Sequence, residues 1–108
     1  MEFDPNKTYQ AVMKAGDEWA DKKAAYELLD DLTKTMLAEI TSDYIGEETS
    51  RAAAEMRALA SKRYKEHLAS VAAARREFLR AQVSYEGAKM LAGLRQTQES
   101  TRRAEMRL

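Results

Sequence analysis

Between Pro5 and Tyr44 the large side chains recur at a helical spacing. Val12, Trp19, Tyr26, Thr33 and Ile40 follow one another at every seventh residue, and Leu29, Met36 and Leu37 fill the neighbouring seam positions. A row of this kind keeps one face of a helix inward over many turns. Asp4-Pro5 supplies its start, an aspartate N-cap followed by proline at the first helical position, where no backbone N–H is needed. Gly16-Asp17 is the soft spot of this helix, because an interior glycine costs about 1 kcal/mol relative to alanine. A bend is expected there.

The pattern breaks at Ser42-Asp43-Tyr44-Ile45-Gly46. Gly46 suits a left-handed C-terminal cap, and Glu47 and Glu48 then stand where acids favour the start of a new helix. A connection this short makes consecutive helices antiparallel neighbours. The second helical region runs from about Glu48 to about Arg107. One of its rows reads Tyr64, Val71, Phe78, Tyr85, Ala92, and the row beside it reads Ala53, Ala60, His67, Ala74, Ala81, Ala88. Large positions alternate with small ones, which lets an antiparallel helix come close. Ser61 offers an internal N-cap that would divide the region into a helix near 48–59 and another from 62, although Tyr64 stands where a capping box would have a glutamate.

The sequence therefore predicts an all-α fold. It is a long antiparallel, coiled-coil-like hairpin in a single domain over 1–108, with a helix at about 5–44, a turn at about 45–47 and a helical region at about 48–107. It becomes three helices if Ser61 breaks the second region. A first helix of about 39 residues spans roughly 58 Å, and an unbroken second one of about 60 residues roughly 90 Å. The second would overhang the first by about twenty residues from near Gly87, leaving Met90, Leu91 and Leu94 without cover. A hairpin also buries only one stripe per helix. Both deficits predict a homodimer in a helical bundle.

Composition agrees with long helices. Charged residues make up 33% of the chain, and it has one proline and four glycines, a mix typical of coiled coils. The absence of cysteine excludes disulfides and thiolate chemistry and gives no sign of an oxidising compartment. No apolar run approaches the roughly 18 residues of a membrane span, and Met1-Glu2-Phe3-Asp4-Pro5 lacks the basic and apolar regions of a signal peptide. A cytoplasmic protein is expected. The net charge is zero, but all ten arginines lie in the second half, and the first half is acidic. Two explanations are open: an acidic helix lying against a basic one, or an arginine-rich arm that meets phosphate or an acidic partner.

Chemistry-bearing constellations are sparse. His67 is the only histidine; with no cysteine and no second histidine it has no companion for a metal site and no oriented nucleophile to serve. It is expected to be structural or solvent-exposed. Asp17-Glu18, Asp30-Asp31 and Glu47-Glu48 are adjacent pairs that diverge by about 100° on a helix, so they form solvated faces. Trp19, Tyr26, Tyr64 and Tyr85 could stack on single-stranded nucleic acid, but their seam spacing favours burial. Tyr9 and Tyr44 lie nearer the helix ends. Arg75, Arg76 and Arg80 form the densest basic stretch, and Arg102, Arg103 and Arg107 a second. Glu77, Glu86, Glu99 and Glu105 dilute both, and no helix-turn-helix or RNA-binding signature accompanies them. No cofactor motif is present.

Several segments together resemble a group of short, largely uncharacterised phage and prophage helical proteins. They are Lys14-Ala15-Gly16-Asp17-Glu18-Trp19-Ala20, Ala58-Leu59-Ala60-Ser61 with Tyr64 and His67-Leu68, Ala74-Arg75-Arg76, and the ending Ser100-Thr101-Arg102-Arg103-Ala104-Glu105-Met106-Arg107-Leu108. Such proteins often have a proline after the serine matched by Ser61, where this chain has Lys62. They tend to be encoded among early genes for recombination and replication. The resemblance implies a setting in the bacterial host cytoplasm and carries over no functional residue. The expected function is that of a non-enzymatic accessory protein binding a phage or host protein of the recombination or replication machinery through Met90, Leu91, Leu94 and the arginine-rich end. The alternative is a nucleic-acid-binding accessory using Arg75, Arg76, Arg80, Arg102 and Arg103.

Overall fold

A computed structural model describes residues 4–47 and 50–107. All regular structure among them is helical: α1 (Pro5–Asp31), α2 (Thr33–Ile45), α3 (Arg51–Leu59) and α4 (Lys62–Arg107). The chain is an all-α helical hairpin, in which α1 and α2 join into one long bent helix. It divides into two compact units, a terminal unit of Met1–Asp21 with Phe78–Leu108 and a central unit of Lys22–Glu77.

In the terminal unit, Asp4 caps α1. Its Oδ1 accepts from the backbone N–H of Asn6 at 3.0 Å and of Lys7 at 3.4 Å, covering donors that the helix leaves unpaired. Val12, Ala15, Gly16 and Trp19 form the half-buried face of α1, and Phe78, Ala81, Gln82, Tyr85, Ala88 and Ala92 that of α4. Trp19 and Tyr85 stack with ring centroids 5.6 Å apart and planes 20° apart. Gly16 does not bend α1, which runs through it unbroken. A Cβ built on Gly16 would stand 3.1 Å from Cε1 of Tyr85, so glycine is there for the close approach of an aromatic ring. The inward face of α4 also continues past Gly87, since Ala88 and Ala92 are half-buried. The expected overhang from Gly87 is therefore wrong in register: equal counting from the turn ignores the residues taken up by a separate α3.

In the central unit, Tyr26 and Leu29 of α1 and Thr33, Met36, Leu37, Ile40, Thr41 and Tyr44 of α2 are half-buried or buried. Helix α3 packs on α2, and Ile40, Ala54 and Ala58 are the fully buried apolar residues among those described. Ala54 and Ala58 are one turn apart, and their small side chains let the two helices approach. The antiparallel sense shows in the pairings. Going up the chain, Thr33 meets His67, Glu39 and Asp43 meet Arg63, and Glu47 meets Arg57.

Three local features of this unit correct or sharpen the sequence reading. The long first helix is interrupted at Leu32, which itself still carries the backbone ladder (Leu32 N–H to Leu28 O, 3.1 Å; Met36 N–H to Leu32 O, 2.8 Å). Thr33, a β-branched residue with a hydroxyl turned to the backbone, follows directly; such back-bonding bends helices. Gly46 is not left-handed: its φ is −71°, and it continues the right-handed turn. The Gly46 N–H, two residues on, and the Glu47 N–H, three residues on, both close onto the Tyr44 carbonyl and tighten the end instead, and α3 starts only at Arg51, after Ser50, whose Oγ accepts from the Ala53 N–H at 3.1 Å. Glu48 lies outside the described residues, as do Met1–Phe3 and Leu108. Ser61 does start a new helix without a following proline. Its Oγ–H donates to Ala58 O at 2.6 Å, and the same oxygen accepts from Tyr64 N at 3.2 Å. Ala60, expected on the seam, falls in this break and is exposed.

Candidate partner-binding surfaces

His67 is the buried polar centre of the central unit. Its Nε2 shares a hydrogen bond with Thr33 Oγ1 at 3.0 Å, and the Thr33 hydroxyl is also 3.5 Å from Leu29 O. A hydroxyl that can donate or accept satisfies either ring tautomer. The pair ties α4 to the bend between α1 and α2. It is a structural bond, and the other seam hydroxyl, Thr41, bonds its own helix at Leu37 O, 2.7 Å. No group of three or more histidine, cysteine or acidic side chains is disposed to hold a metal ion among the described residues.

The charge asymmetry is partly resolved inside the central unit. Arg57 reaches Glu47 at 2.8 Å, and Arg63 reaches Asp43 at 3.2 Å and Glu39 at 3.5 Å. Arg57 also lies 4.4 Å over the Tyr44 ring. Acidic residues of the first helical arm thus pair with basic residues of the second, as the antiparallel explanation requires. Each exposed pair is worth no more than about 1 kcal/mol, so these pairs set register more than stability.

The candidate arginines fare unequally. Arg75 and Arg76 are exposed in the central unit and have no ion-pair partner among the described residues. Arg80 is exposed in the terminal unit. Arg102 and Arg103 both turn to Glu99, at 3.0 and 3.7 Å, which halves the field they can offer a phosphate. Trp19, Tyr26, Tyr64 and Tyr85, the possible stacking platforms, are half-buried in the seam, whereas Tyr9 is exposed.

Met90, Leu91 and Leu94 are 69%, 49% and 56% exposed. They are open because they point away from the inward face of α4 formed by Tyr85, Ala88 and Ala92, and not because they lie beyond the end of that face. Leu79 and Val83 share the side of the helix on which Met90 and Leu94 stand, and are also exposed. Sequence reasoning missed these two, since the search for one buried stripe leaves a second stripe unexamined. A further feature it missed is a groove of about 390 Å³ between α2 and α3, lined among others by Lys34, Leu37, Thr41, Ile45, Arg51 and Glu55. Its walls mix apolar and charged groups and converge on no reactive centre.

No helix is long and apolar enough to cross a membrane among the described residues. Comparison with protein-family models, curated proteins and solved structures finds no match for this chain.

Proposed function

We propose that the protein is a non-enzymatic accessory factor that works by associating with protein through the apolar outer side of α4. The observation that carries this reading is the exposure of Met90, Leu91 and Leu94, three apolar side chains within five residues of one helix. Clustered apolar residues at a surface mark interaction sites, and a helix face is a common form of protein recognition element. The setting we propose, a phage working with phage or host recombination or replication machinery, rests on the sequence resemblance alone. The test is capture of partners from infected host cells with the unmodified protein and with Met90→Glu/Leu94→Glu. The proposal expects the captured proteins to be lost with the double variant, and an unchanged set would reject this surface.

A second reading is favoured by one observation, the unpaired exposed guanidinium groups of Arg75 and Arg76. They suit phosphate contact, and nucleic-acid binding through them would accompany or replace the protein contact. Binding of labelled single- and double-stranded DNA across a salt series decides it. Affinity should be highest at low salt and should drop when both arginines become glutamine, and no binding at low salt would end this reading.

A further inference from the structure

We infer that the partner seated on the outer side of α4 is a second copy of this chain, packed antiparallel about a two-fold axis between Glu86 and Gly87. This deepens the protein-association reading by naming an occupant. Four exposed apolar side chains of the terminal unit define the stripe: Leu79 (43% exposed), Val83 (71%), Met90 (69%) and Leu94 (56%). Their spacings are four, seven and four residues, which keeps them on one side of a helix. The half-buried residues Ala81, Tyr85, Ala88 and Ala92 occupy the other side.

The spacing reads the same in both directions. An antiparallel second helix centred between Glu86 and Gly87 therefore sets Leu79 against Leu94, Val83 against Met90, Met90 against Val83 and Leu94 against Leu79. A two-fold interface requires such self-complementarity, because each patch must fit its own copy. A different partner has no need of a palindromic stripe. Gly87 stands beside the axis with nothing within 4 Å of the position a Cβ would take, so the backbones can approach on that flank. On the other flank Glu86 of each copy comes near the axis, while Lys89 lies 4.5 Å over the Tyr85 ring, turned towards the inward face. The stripe is about 22 Å long on a helix about 10 Å across. It falls below the roughly 800 Å² per partner of a standard stable interface, so the dimer forms and dissociates in the micromolar range.

The chain's lack of cysteine makes the test clean. Sedimentation equilibrium across the micromolar range is run on the full chain, on Val83→Glu, on Met90→Lys, and on the Val83→Glu/Met90→Lys double variant. Both sites are exposed, and circular dichroism confirms that each variant keeps its helix. The expected result is a concentration-dependent dimer in the unmodified chain, association at least about tenfold weaker in each single variant (a loss of about 1.4 kcal/mol), and recovery in the double variant. Recovery is specific to the antiparallel register, which sets the acid at 83 of one copy against the base at 90 of the other; a parallel pair would set like on like. Oxidation of Gly87→Cys should give an inter-chain disulfide, while Thr97→Cys, far from the axis, should not. A chain that stays monomeric overturns the assignment of a second copy, and the capture experiment still judges the broader reading on its own. A dimer indifferent to Val83→Glu, or one without recovery in the double variant, overturns it as well.

Discussion

Thr33 and His67 show how much one polar contact can decide. Both lie in rows of otherwise apolar or small residues; His67 is buried and Thr33 half-buried. Removing the Thr33 hydroxyl takes from the buried imidazole Nε2 its 3.0 Å bond, which costs about 1–3 kcal/mol. Thr33→Val should therefore lower stability by that amount in urea unfolding, while adding His67→Leu should return part of the loss. A double-mutant cycle with no coupling would show that the 3.0 Å contact contributes nothing. Ile40 has a simpler role as the one large buried apolar residue among those described. Ile40→Ala should cost about 2–4 kcal/mol, seen as a lower urea midpoint at unchanged slope. At Gly16 the sign reverses the usual helix rule. Substitution by alanine or valine gains propensity, but a Cβ would stand 3.1 Å from the Tyr85 ring. Gly16→Val should lose about 1–3 kcal/mol through overpacking and should weaken the near-ultraviolet circular dichroism of the Trp19–Tyr85 stack.

At the scale of elements, the boundaries follow local chemistry where a side chain caps the backbone. Asp4, Ser50 and Ser61 each accept from an N–H two or three residues on, and each opens a helix. Ser61→Ala should cost about 1 kcal/mol and shift amide-exchange protection first in the opening turn of α4. Lys62 occupies the position after the cap, where a first-turn N–H has no helical acceptor. Lys62→Pro should thus be tolerated or stabilise by about 0.5 kcal/mol, checked by thermal unfolding. A strong loss of stability would mean that the residue after Ser61 does not sit in a true first helical turn. The bend at Leu32 has a weaker local basis. Asp30 and Asp31 are poor helix formers, but the break falls beside Thr33, whose hydroxyl serves a residue on α4.

For the whole molecule, charge and surface matter more than core. The acidic and basic halves are drawn together by Arg57 and Arg63, leaving Arg75 and Arg76 as the open basic pair. With so few fully buried apolar residues, stability should depend on whatever covers the outer stripe of α4. If the second copy covers it, the thermal midpoint should rise with protein concentration, because a ligand that binds only the folded state stabilises by mass action. A midpoint independent of concentration would agree with a monomer, and Val83→Glu should abolish any rise without lowering the midpoint at high dilution.

Fold class and the inward face were legible in the amino-acid pattern. Heptad spacing placed Val12, Trp19, Tyr26, Thr33 and Ile40 on one side of the first arm, and Tyr64, Val71, Phe78 and Tyr85 on one side of the second; all are half-buried or buried. Periodicity is a local property of a helix, so it is legible without the partner. Register came only from how the helices pack. Which residues face one another depends on how many residues the turn and the separate α3 consume, and no local signal counts them. Register in turn decided that Gly16 receives a ring instead of bending α1 and that Thr33 meets His67. The candidate surface was legible as apolar residues in the sequence, but its symmetry became visible only once the opposite face of α4 was seen to be occupied.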